Sequence, residues 1–231
     1  MAPNPETTKQ RLVSAAEELF AARGIEGVSL REINTAAGQR NSTALQYHFV
    51  DRAGLVRAVL AKHHVDIELL RHEMLDLYEE VGEGDLRALA GALVRPSATK
   101  LRDADGGRAY LRIHSQVVNL PDRFGGASST SNSASVGPGL DDLSDSINRW
   151  RYLVAPLLPD VAVRRLHHRF TAIRLSATEL ARRAAAQPRR DDRLFVSHLI
   201  DVIAATLATP MSEETAGLLQ ARAAGLSRPA G

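Results

Sequence analysis

The chain has 231 residues, a net charge of +2 from 29 Lys+Arg against 27 Asp+Glu, and no cysteine. That length suits a small unit joined to a larger one with a sizeable core, and the near-balanced charge means that any polyanion-binding surface is local. The missing thiols exclude disulfides, thiolate metal sites and cysteine nucleophiles, while the absence of a signal pattern or a bilayer-length apolar run reads as a cytoplasmic protein with no membrane partner.

Taken in chain order, Leu12, Ala16, Leu19 and Phe20 recur at helical spacing and predict a first helix over 8–23. Gly24 supplies the left-handed residue that ends it, and Ile25 closes the apolar contact beside it. Ser29-Leu30-Arg31-Glu32 has the pattern of a capping box, in which a hydroxyl and a carboxylate satisfy each other's backbone N–H groups, and it opens a second helix over 30–37. Gly38 breaks that helix. The polar turn Gln39-Arg40-Asn41 leads into a short third helix over 42–48, anchored by Leu45 and Phe49. Asp51 caps a fourth helix that carries its apolar stripe to Val81, long enough to join a head to a body.

Further helices are predicted over 85–103 with a kink at Pro96, then over 108–120, 140–153, 160–186 and 194–207. The stretch 121–139 is too polar and glycine-rich to pack and reads as a loop. Val163, Leu166, Phe170, Ile173 and Leu180 follow a three-four repeat, the seam of a helix pair. Phe195, Leu199 and Val202 form one stripe beside a second of Val196, Ile200, Ile203 and Leu207. So wide an apolar band can serve both an internal core and a second copy of the chain, and both seams are expected at a dimer interface.

The chain lacks a phosphate-binding loop, a Gly-x-Ser-x-Gly elbow and a His-Glu-x-x-His motif, so no enzymatic activity and no cofactor is expected. His64, Glu68 and His72 share a face of the fourth helix, a spacing that suits a metal but more often marks a hydrogen-bonded helix face, and no metal is assigned to them.

The run Val28-Ser29-Leu30-Arg31-Glu32-Ile33-Asn34-Thr35-Ala36-Ala37-Gly38, followed by Leu45-Gln46-Tyr47-His48-Phe49 and Asp51-Arg52-Ala53-Gly54-Leu55, resembles the TetR family of repressors over the first quarter of the chain. The resemblance implies an all-α protein. Residues 1–53 would form a three-helix DNA-binding head with its helix-turn-helix at about 29–48, and 54–231 a helical ligand-binding and dimerisation domain. It further implies a ligand-released transcriptional repressor that binds a palindromic operator as a homodimer, with double-stranded DNA, a second copy and a small-molecule effector as partners. A helical adaptor that binds no DNA would explain the body but not the head.

A helix laid in the major groove reads bases with its N-terminal end and outer face, while flanking groups hold phosphates. On that geometry Asn41, Ser42, Thr43 and Gln46 are base-edge candidates, and Arg40 reaches a guanine or a phosphate. Gln46 stands where many family members carry a tyrosine. Tyr47, His48 and Arg52 match backbone-contacting positions of the family, and Ser29 and Arg31 sit at a helix N-terminus, itself an anion site. The first 57 residues hold seven basic and six acidic side chains, so phosphate binding must come from local placement. For the effector, Tyr110, His114, Trp150, Phe170 and Arg174 are candidate pocket residues, with Arg151 and Tyr152 nearby.

Overall fold

The computed structural model describes residues 5–39, 44–81, 84–119, 145–158 and 167–226. Among them every regular element is helical, and no single helix is long and apolar enough to cross a membrane. The helices, numbered here in chain order, are α1 Pro5–Arg23, α2 Leu30–Ala36, α3 Ala44–Phe49, α4 Arg52–Val81, α5 Leu86–Ala98, α6 Gly107–Asn119, α7 Asp145–Val154, α8 His168–Ala185, α9 Arg193–Ala208 and α10 Glu213–Leu226. The expected loop at 121–139 lies outside the described residues, as do Val163 and Leu166.

Local chemistry accounts for the head. Gly24 has φ +83° and Gly38 φ +68°, conformations that a β-carbon disfavours, so α1 and α2 stop where those glycines stand. At Ser29 the capping box closes in both directions: Glu32 N donates to Ser29 Oγ at 3.2 Å, and Ser29 N donates to Glu32 Oε2 at 2.8 Å. Asp51 Oδ1 accepts from Gly54 N at 2.7 Å and starts α4. Leu12, Phe20, Ile33, Leu45 and Leu55 are fully buried and form the small core around which α1, α2, α3 and the first turns of α4 close. Burial of such side chains contributes about 1.5–3 kcal/mol each, enough to order a short helix such as α3 that could not persist alone.

From the head, α4 runs 30 residues, about 45 Å at the usual rise, into the body. There α6 packs most extensively on α8, and α9 lies against α5 and α8. Trp150 of α7 is fully buried, and its indole N–H donates to the Leu89 carbonyl at 2.8 Å. Pro96 falls in the last turn of α5 and cannot donate to the Ala92 carbonyl, which accepts from Arg71 Nε at 3.2 Å instead. The expected continuation to 103 is replaced by a 3₁₀ turn, Thr99–Leu101.

The seams read as a dimer interface are used differently. Leu180 and Leu199 are buried within the single chain, and Ile173 packs against its core, where α8 lies chiefly on α6. Phe195 is partly buried against the same core. Only Val202 of that set keeps substantial exposure, 37%, alongside Leu194 at 84%. A three-four repeat reports that a helix face is covered and is silent on whether the cover is internal.

The head does not hang from α4 alone. Glu17 of α1 is 3% exposed, accepts from His63 Nε2 at 2.6 Å and from Lys62 Nζ at 2.9 Å, and so faces two side chains of α4. Lys62 also donates to Asp105 Oδ1 at 2.7 Å, and His63 Nδ1 lies 3.5 Å from Asp103 Oδ2, which brings in the turn before α6. Burial opposes the charge on Lys62, but its bonds to Asp105 and Glu17 outweigh that cost and raise its pKa. Gly106 closes this turn at φ +81°, and a β-carbon there would collide with the Glu17 carboxylate. Gly106→Ala therefore combines a strained backbone with displacement of a buried acid, and urea unfolding should show a loss of about 1–3 kcal/mol. An unchanged midpoint would mean that the turn is not fixed on Glu17.

Candidate nucleic-acid interface and internal cavity

The turn between α1 and α2 is built as a platform. Arg52 donates from one guanidinium nitrogen to the Val28 carbonyl at 2.6 Å and to the Ile25 carbonyl, tying the start of α4 to that turn. Arg52 was expected on DNA phosphates, yet this nitrogen is spent inside the head. Glu32 is held ionised, its pKa lowered to about 2 by bonds from the Ser29 side chain and backbone and then from Arg23, whose guanidinium lies 2.8 Å away. The α2 N-terminus is thereby fixed with Ser29 and Arg31 exposed at its edge.

On α3, Leu45 and Phe49 face the core and Tyr47 points outward, 82% exposed. His48 is partly exposed, its ring edge-on to Tyr47 with centroids 5.1 Å apart. Val50 follows at φ +60° and is itself 83% exposed, a strained conformation for a β-branched residue, and it sets the sharp turn from α3 into α4. Arg40, Asn41, Ser42 and Thr43 lie outside the described residues, and so does the Gln46 side chain. Of the ten residues expected on DNA, Ser29, Arg31 and Tyr47 are exposed and His48 partly so, while Arg52 holds the α1–α2 turn.

A cavity of about 130 Å³ lies in the body among α4, α5, α6, α7 and α8. Tyr110 and His114 line it, stacked at 5.5 Å with 16° between their planes, and Arg151 lines it as well. Trp150 stands behind the wall, committed to Leu89, and Phe170 and Arg174 are not in the lining. Tyr152 is 79% exposed. Lining groups that the sequence reading did not place there are His64 and Arg71 from α4, Ser97 from α5 and Ser176 from α8. Their signal was weak, because each is a lone polar residue in an otherwise apolar helical stripe.

Burial governs the chemistry of these groups. His114 has its pKa lowered to about 3, first by desolvation and then by the nearby His64 and Arg71. His64 is lowered too, chiefly by desolvation, although Glu68 pulls the other way. Desolvation raises the Tyr110 hydroxyl. Of the three residues considered for a metal, Glu68 accepts from Ser146 N and Ser146 Oγ, both at 2.8 Å, and from Arg71 at 3.2 Å, while His72 sits 3.3 Å from Arg149. Glu68 is thereby committed to Arg71 and α7.

A folded-state histidine held near 3 stays neutral where the unfolded chain, titrating near 6.5, takes up a proton. Its contribution is complete above about pH 6.5 and is lost as pH falls from there towards 3. Wild-type stability should therefore decline through that window, and His114→Phe should flatten the slope. An identical slope in the variant would show that His114 is solvated.

The class defined by this geometry is an all-helical protein with a helix-turn-helix head on a helical body that encloses a cavity. Residues 12–59 match the family model described as bacterial regulatory proteins, tetR family. It is similar, at 29% identity over 126 residues, to the HTH-type transcriptional regulator SrpR of Pseudomonas putida, 53% of this chain aligning with 58% of that protein. The same share of this chain is 29% identical to 92% of the uncharacterized HTH-type transcriptional regulator TtgW, also of Pseudomonas putida. A solved structure of a gamma-butyrolactone receptor (ArpA-like protein) aligns with 87% of this chain and 98% of its own at 20% identity and a TM-score of 0.42. The match covers less than two thirds of the length of SrpR.

Proposed function

We propose that the chain is a DNA-binding transcriptional regulator whose head inserts α3 into the major groove and whose internal cavity holds a small-molecule effector that lowers DNA affinity. The single observation that carries the DNA reading is Tyr47. An aromatic ring 82% exposed on the outer face of a six-residue helix, with its neighbours Leu45 and Phe49 buried, gains nothing for folding. It is well placed to meet a partner, and the exposed Ser29 and Arg31 at the capped start of α2 offer a donor and a cation.

Within this reading Tyr47, His48, Ser29 and Arg31 hold the DNA backbone. Gln46, Asn41, Ser42 and Thr43 read base edges, and Arg40 reaches a guanine or a phosphate. Arg52 acts indirectly, by holding the α1–α2 turn. One head makes few phosphate contacts, so two heads on a two-fold axis, about 34–36 Å apart, supply the affinity. For the second copy the exposed face of α9, with Val202 and Leu194, and the exposed Leu218 of α10 replace the inward-facing seams.

The test is binding of the full chain to fragments selected from the source genome, followed over a salt series. Log affinity should fall linearly with log salt. Tyr47→Ala and Arg31→Ala should each weaken binding roughly tenfold on every sequence, whereas Gln46→Ala should change base preference. Salt-independent association, or Tyr47→Ala binding as well as wild type, would contradict the proposal and favour an adaptor that binds no DNA.

A further inference from the structure

Resting on the reading of the cavity as an effector site, we propose that its occupant is a small uncharged molecule of about one ring, mostly hydrocarbon, with an oxygen that bonds to the Tyr110–His114–His64 strip. The volume sets the size. A space of about 130 Å³ is close to the roughly 150 Å³ apolar cavities that accept one benzene ring. Much of the wall is aliphatic, with Leu60 and Ile67 on α4, Leu93 on α5, Val117 on α6, Ile147 on α7 and Ile173 on α8.

The buried cation Arg71 on the wall is already committed. Arg71 donates to the Ala92 carbonyl at 3.2 Å, to Ser146 Oγ at 2.8 Å and to Glu68 Oε1 at 3.2 Å. Glu68 in turn accepts from Ser146 N and Oγ, so the buried cation and its anion balance each other. Arg151 donates to Asn148 Oδ1 at 2.9 Å and lies 5.8 Å from the Phe170 ring. An anionic occupant would have to pull Arg71 away from Glu68, and a cationic one would compete with Arg71 for the same carboxylate.

Three neutral polar rings remain in the lining. Tyr110 and His114 stack along one face of α6, and His64 of α4 stands edge-on to Tyr110 with centroids 6.2 Å apart. Among the described residues no hydrogen bond engages the Tyr110 hydroxyl or the His114 ring, and His64 Nδ1 is buried without a partner. Burial favours the neutral form of both imidazoles, against the opposing pull of Glu68 on His64 and with the support of Arg71. A neutral imidazole and a phenol each donate one hydrogen bond to an uncharged oxygen without changing protonation state. Ser97 and Ser176 add hydroxyls to the lining.

The test uses the full-length protein and five probes of matched size: cyclohexanol, cyclohexanone, methylcyclohexane, cyclohexanecarboxylate and cyclohexylamine. Titration calorimetry and thermal unfolding should show saturable binding of the alcohol and ketone, with the same Kd at about pH 7 and about pH 8, because burial lowers the pKa of both histidines and favours their neutral forms there. Methylcyclohexane should bind roughly tenfold more weakly, and the two charged probes should not bind. Tyr110→Phe, or independently His114→Phe, should erase the preference for alcohol over hydrocarbon while hydrocarbon binding persists. Tighter binding of the carboxylate or the amine, a Kd that shifts between the two pH values, or no binding by any probe would overturn the proposal. Binding with the expected selectivity that leaves DNA affinity unchanged would instead refute the effector reading and leave the cavity chemistry standing.

Discussion

A buried carboxylate decides how the molecule is put together. Glu17 lies in the first helix of the head, almost without solvent, and is tolerable there only because His63 and Lys62 of α4 meet it. Removing one partner of such a set leaves an uncompensated buried charge, a penalty of about 3–5 kcal/mol. The head therefore cannot swing freely on α4. It moves when α4 or the turn at 103–106 moves with it, and Gln116 of α6 adds a second attachment by accepting from Ile25 N at 2.9 Å.

The two helices that hold the head also wall the cavity. On α4, Lys62 and His63 meet Glu17 while Leu60, His64 and Ile67 line the cavity within the same two turns. On α6, Tyr110, His114 and Val117 face the cavity while Gln116, between the last two, turns to the α1–α2 junction. A molecule that pushes these helices apart acts on the head without an intervening relay. Coupling of this kind needs an occupant that favours one arrangement of α4 and α6 over the other, and the short path makes a sub-ångström shift sufficient.

Much of this was legible in the sequence, and what was legible was local. Gly24, the Ser29–Glu32 capping box, Gly38, Asp51 and the Leu45/Phe49 anchors act on neighbours within four residues, so their order alone reads as a helix-turn-helix. Tyr110 and His114, one turn apart on an amphipathic helix, both line the cavity. The junction was not legible. Glu17 reads as one more exposed acid in a helix, and its partners stand 45 and 46 residues away, a distance over which periodicity carries no information. Arg52 was misread for the same reason, because a basic residue just past the reading helix looks the same whether it holds a phosphate or two carbonyls 24 and 27 residues upstream. The seams of α8 and α9 show a third limit. Their spacing showed covered faces, and only tertiary packing showed that α6 and α5 do the covering.

The claim that head and body form one mechanical unit is tested most directly by amide hydrogen exchange on the intact chain, comparing wild type with Glu17→Gln and Gln116→Ala. If the junction governs the head, α1 and the Ile25 amide will be protected as strongly as α6 in wild type, and both substitutions will release the head while α8 and α9 keep their protection. Rapid exchange throughout α1 and α2 in the wild-type protein, unaffected by either substitution, would show that the head is independent and would contradict the account.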